Sequence, residues 1–169
     1  MYKTILVPVD LDEMTLTEAA LTEVRALAAQ DVVQISLLYV MQVPDCSLSR
    51  LNKETQRFED ILADECLAKM QTLAESIPLT EPSRISCQIR KGSIYDEVLK
   101  QAQEIDADLI VIGSRRPSMS TYLLGSNATK IVRHAATSVL GGALSRATRH
   151  HQPDGVSHIS CAHAVFVQG

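Results

Sequence analysis

Short apolar runs alternate with longer stretches in which apolar residues recur every three or four positions. Thr4-Ile5-Leu6-Val7-Pro8-Val9-Asp10 is too short for a helix and rich in β-branched residues, which predicts a buried strand. Pro8 lacks an N–H, so it belongs late in that strand, where pairing ends. Leu16, Ala20, Val24, Leu27 and Ala28 then fall at helical spacing, and Thr15 with Glu18 three residues on predicts a capping box for that helix. A second strand is centred on Ile35 to Val40, and Pro44-Asp45-Cys46-Ser47 breaks it. From about Asn52 to Ser76 the apolar positions Phe58, Ile61, Leu62, Cys66, Met70 and Leu73 predict a long amphipathic helix, which Pro78 and Pro82 stop.

The second half repeats the alternation. Ile85, Cys87 and Ile89 point one way and Ser86 and Gln88 the other, predicting a third strand, and Lys91-Gly92-Ser93 turns the chain. Ile94, Val98, Leu99, Ala102 and Ile105 mark a third helix; Leu109 to Gly113 reads as a fourth strand. Ser126 to His134 reads as a short helix, with His134 expected to meet its last carbonyls, and Thr137-Ser138-Val139-Leu140 starts a fifth strand.

A β-α alternation of this kind implies an α/β fold: a five-stranded parallel sheet with helices on both faces, doubly wound and Rossmann-like, in strand order 3-2-1-4-5. In that order the first and fourth strands are neighbours whose connections leave in opposite directions. Ligands sit in the crevice at the carboxyl ends of such a pair. Asp10 follows the first strand and Gly113 ends the fourth.

The stretch between Gly113 and Asn127 is the richest in chemistry. A glycine ends the strand, a loop containing Ser114, Arg115 and Arg116 follows, and Gly125-Ser126-Asn127 opens a helix. Helix starts carry unpaired N–H groups and a partial positive charge that suit phosphate oxygens, so this is a candidate nucleotide-phosphate site. Arg115 and Arg116 offer planar guanidinium groups that neutralise phosphate bidentately.

Composition narrows the function. With 169 residues and a formal net charge of -4, the chain lacks the cationic excess of a nucleic-acid binder. No apolar run approaches the roughly 20 residues of a membrane span, and the start shows no signal-peptide pattern. The four dispersed cysteines read as reduced thiols, so a cytoplasmic protein is expected. There is no nucleophile–base–acid set and no Gly-x-x-x-x-Gly-Lys-Ser/Thr motif, so no catalytic residues are assigned and binding is favoured over turnover.

Ile5-Leu6-Val7-Pro8-Val9-Asp10, with Val111-Ile112-Gly113-Ser114-Arg115-Arg116 and Gly125-Ser126, resembles the universal stress protein family, in its small single-domain, ATP-binding bacterial type. The usual signature there is Gly-x-x-Gly, then nine residues, then Gly-Ser or Gly-Thr. This chain departs from it: Arg116 stands at the second glycine, and the loop from Pro117 to Leu124 is one residue short. The resemblance implies ATP as ligand, with or without magnesium, in a stress-response protein with at most slow hydrolysis or self-phosphorylation. It implies that Asp10 accepts from ribose hydroxyls, that Val40 meets adenine through its main chain, and that Gly113 lets the diphosphate approach. Ser126 and Asn127 would donate to that diphosphate, and Pro8 and Ile112 at the strand ends complete the set. It also implies a homodimer paired through the final strand. The rival reading is a dimerisation or partner-docking module of the same fold without nucleotide. An adenine-nucleotide α-hydrolase is disfavoured, because Leu11-Asp12-Glu13-Met14 is unlike that family's Ser-Gly-Gly-x-Asp-Ser loop.

The resemblance covers residues 1–140, the expected nucleotide-binding domain. Residues 141–169 read as an atypical tail, expected to be irregular and poorly ordered. Gly141-Gly142 weakens strand packing, so the fifth strand is expected to end early. His150, His151, His158, Cys161 and His163 match no zinc spacing, and no metal site is assigned.

Overall fold

A computed structural model describes residues 2–42, 53–114, 125–142 and, as backbone, 165–167. The described elements are β1 (Thr4–Pro8), α1 (Met14–Ala28), β2 (Gln34–Met41), α2 (Lys53–Glu75), β3 (Arg84–Lys91), α3 (Ile94–Glu104), β4 (Leu109–Gly113), α4 (Ser126–His134), β5 (Ser138–Gly142) and β6 (Val165–Val167). The sheet order is β3-β2-β1-β4-β5-β6. Its first five strands are all parallel and in the expected order 3-2-1-4-5.

Each central strand alternates its side chains between two cores, so both faces must be covered. Ile5, Val7, Leu37, Leu109 and Val111 pack on one side with Leu21, Val24 and Met70 of α1 and α2. Leu6, Leu38, Ile110 and Val139 pack on the other with Val98 and Ile131 of α3 and α4. Full burial of one such aliphatic side chain stabilises by about 1.5–3 kcal/mol, which is what seats the helices. Pro8 is the last residue of β1, as its missing N–H requires.

Two local expectations fail for identifiable reasons. The capping box at Thr15 does not form: α1 starts at Met14, and its N-cap residue Glu13 makes no side-chain cap bond. Instead Asp10 Oδ1 accepts the N–H groups of Asp12 and Glu13, each at 3.0 Å, so the carboxylate organises the turn before the helix. The fifth strand does not end early either. It runs through Gly141 and Gly142, pairing Ile112 with Gly141 and Gly113 with Gly142. A Cβ on Gly142 would stand 2.4 Å from the Ala19 carbonyl oxygen, so glycine there admits α1 against the strand.

Of the expected tail, residues 165–167 form a short strand antiparallel to β5. The rest of it, including the histidines and Cys161, lies outside the described residues. His134, the last residue of α4, faces Tyr95 of α3 with the two rings tilted by 42° at a centroid distance of 6.5 Å.

Candidate functional site

The strands splay at their carboxyl ends. β1 pairs with β4 only as far as Leu6 opposite Ile110, while β2 and β3 continue beyond the last β1 pairing at Pro8 and Leu38. A cavity of about 510 Å³ occupies the gap, within the range of small-molecule sites. Pro8, Asp10, Val40, Ile112, Gly113, Gly125, Ser126 and Asn127 all line it. Arg115 and Arg116 lie outside the described residues.

Backbone geometry gives Val40 its interest. Along a strand, successive residues turn their N–H and C=O to opposite sides. Gln34 donates to Lys3 and Leu38 accepts from Val9, so even-numbered residues of β2 face β1; Met41 accepts from Gly92, so odd-numbered ones face β3. Val40 therefore turns its donor and acceptor toward β1 at a level where β1 has already ended. Val40, Ile94 and Ile131 supply an apolar wall beside those groups.

At the other end of the cavity, α4 begins at Gly125, which has no side chain with which to cap it. Its first main-chain bond runs from Thr129 N–H to the Gly125 carbonyl, so the N–H groups of Ser126, Asn127 and Ala128 have no partner within the helix. A Cβ on Gly125 would meet nothing within 4 Å. Gly113 differs: a Cβ there would be 2.0 Å from the Leu16 carbonyl oxygen, so its smallness serves the packing of α1 as well as the cavity it lines.

Asp10 is held from two directions. Besides the turn bonds to its Oδ1, its backbone N–H donates to Thr17 Oγ1 and its carbonyl accepts from the same hydroxyl, both at 2.8 Å. Thr17 is only 1% exposed. The sequence pattern had assigned this turn's inner face to Leu16; the signal for Thr17 was its spacing from Ala20, Leu21 and Val24. Tyr39 and Gln42 also line the cavity without having been singled out. Burial raises the Tyr39 hydroxyl above its ordinary value, aided by the charges of Asp12, Cys66 and Asp10 and a hydrogen bond with Cys66. The phenol therefore stays neutral near pH 7 and keeps a proton to donate.

The universal stress protein family model matches residues 1–140. The chain belongs to the universal stress protein family. Universal stress protein G of Salmonella typhimurium is 45% identical over 141 residues, 83% of this chain and 98% of that one. Among solved structures, that of MJ0577 superposes with a TM-score of 0.69 at 23% identity, covering 86% of this chain and 99% of the other. A universal stress protein family member from Arabidopsis thaliana, solved with AMP bound, superposes with a TM-score of 0.55 at 17% identity, covering 85% and 92%. Those two likenesses establish the shared α/β fold. Among the described residues, no helix is long and apolar enough to cross a membrane, and no cluster of acidic, His and Cys side chains fits a metal.

Proposed function

We propose that this universal stress protein binds an adenine nucleotide, ATP in the first instance, in the cavity between the carboxyl ends of β1 and β4. The carrying observation is the opposition of two main-chain surfaces across one cavity: the unpaired edge of Val40 and the uncapped start of α4. An adenine ring needs one donor and one acceptor on a single edge beside an apolar wall, which is what Val40, Ile94 and Ile131 offer. Phosphate needs converging N–H groups and a positive helix end, which the first turn of α4 offers. Asp10 stands between them. Its Oδ1 is committed to the turn, and Oδ2 is the oxygen that would accept from the ribose hydroxyls.

The AMP bound by the Arabidopsis relative supports the same ligand class for this chain. Nucleotide occupancy then acts as the signal of a cytoplasmic stress-response protein, and Arg115 and Arg116 of the connecting loop answer the charge of the outer phosphates. Binding, rather than efficient turnover, is the proposed activity. Differential scanning fluorimetry with ATP, ADP, AMP and GTP tests it. A ligand that binds only the folded state raises Tm by mass action, so the adenine series raises it and GTP does so less. No shift with millimolar ATP, with or without magnesium, rejects the reading.

A further inference from the structure

Two buried polar atoms find no hydrogen-bond partner among the described residues: Ser36 Oγ on β2 and Gln101 Oε1 on α3. Ser36 is 5% exposed and Gln101 1%, so bulk solvent satisfies neither atom. Folded proteins rarely leave such groups unpaired, because their lost hydration is then uncompensated.

The two atoms belong to one layer. Leu6, Leu38 and Val40 pack toward α3 and α4, so Ser36, two residues before Leu38, turns its side chain the same way. Around α3, Glu97 and Glu104 reach Arg90 of β3, while Tyr95 meets Lys130 of α4. At 3.6 residues per turn Gln101 falls between those two faces, which directs it onto β2. Their levels also agree. Ile94 and Val40 both line the cavity, and α3 runs opposite to β2 because it returns the chain between the parallel strands β3 and β4. From Ile94 the helix descends about 10 Å to Gln101, and from Val40 the strand descends about 13 Å to Ser36.

We propose that one internal water molecule is bound between α3 and β2, accepting from the Ser36 hydroxyl and donating to Gln101 Oε1. A carbonyl oxygen only accepts and a hydroxyl can donate, so one water satisfies both. Ser86, level with Ser36 on β3, supplies a third partner: its hydroxyl donates to the Ile35 carbonyl and keeps its lone pairs. Three polar partners are what a buried water requires. Around them the layer is aliphatic, with Leu38, Val98 and Ala102. The water ties the helix that carries Ile94 to the strand that carries Val40, below the cavity both line.

A high-resolution crystal structure of the full chain tests this. It should show an ordered water within about 2.7–3.2 Å of both Ser36 Oγ and Gln101 Oε1. A direct bond between the two side chains, or no water between them, overturns the proposal. A double-mutant cycle gives an independent reading. Ser36→Ala and Gln101→Leu each lower Tm by about 3 °C or more, because each strands the water and the partner it leaves. The double variant recovers at least half of the summed loss, since both buried groups are then gone. Strictly additive losses overturn the proposal as well.

Discussion

A Cβ on Gly113 would lie 2.0 Å from the carbonyl oxygen of Leu16, so the end of β4 and the first turn of α1 meet backbone to backbone. Gly113→Ala must push α1 away from β4 and disturb the turn that holds Asp10. The expected cost is about 3 kcal/mol, read as a fall in Tm of roughly 10 °C. Thermal unfolding by circular dichroism checks it.

Gly125 gives the opposite expectation. Nothing stands within 4 Å of a Cβ there, and its φ of -54° suits any residue. Gly125→Ala therefore costs no more than about 1 kcal/mol, the preference of an N-cap position for glycine over alanine. Gly125→Val fills the cavity mouth and weakens ATP binding while leaving Tm without ligand in place. A large loss of stability in either variant would show that the open space is needed for folding.

Thr17 tests whether Asp10 must be positioned. Thr17→Val keeps the shape and removes both bonds to the Asp10 backbone, costing about 1–2 kcal/mol of stability and roughly tenfold in ATP affinity. Thr17→Ser restores most of both. Titration calorimetry on the two variants separates the effects, because a purely structural role would leave affinity unchanged in the folded fraction.

Asp108 sets an acid limb of stability. Its Oδ2 accepts the backbone N–H groups of Thr4 and Lys3, each at 2.9 Å, which hold the carboxyl below its ordinary value. A carboxyl lowered in the folded state stabilises fully above its unfolded value of about 3.9 and loses that contribution as pH falls through the folded one. Asp108→Asn flattens the decline of urea stability below about pH 4 relative to the unaltered chain. An unchanged acid limb would show that these bonds do not contribute.

Much of this was legible in the residues. The apolar runs and helical spacings mark the five parallel strands and four helices because burial on both sheet faces leaves a strong periodic trace. Their order follows from handedness and short connections. Asp10 and Gly125 were found through a strand end and a helix start, features that local pattern reveals, whereas Val40 was implied only by the resemblance to the family. The failures concern groups whose partners are distant in the chain. Gly113 and Gly142 are small because Leu16 and Ala19 of α1 press against them, and no local pattern reports that. Thr17 turns inward to Asp10, and Thr15 does not cap because the helix already starts at Met14, with the Leu16 and Thr17 N–H groups donating to the Glu13 carbonyl. β6 pairs across a long connection, so its three apolar residues could not be assigned to β5 from sequence alone.

Asp10 carries the most direct test, because one of its oxygens holds the turn and the other is assigned to ribose. Asp10→Asn keeps an acceptor for the Asp12 and Glu13 N–H groups but not a charged one for the sugar. Isothermal titration of ATP into the full chain should give one saturable site per chain. In Asp10→Asn the affinity should fall by roughly tenfold or more, with 2′,3′-dideoxy-ATP losing a similar amount on the unaltered protein. Equal affinity for ATP and its dideoxy form, or no heat with ATP at all, would contradict the account.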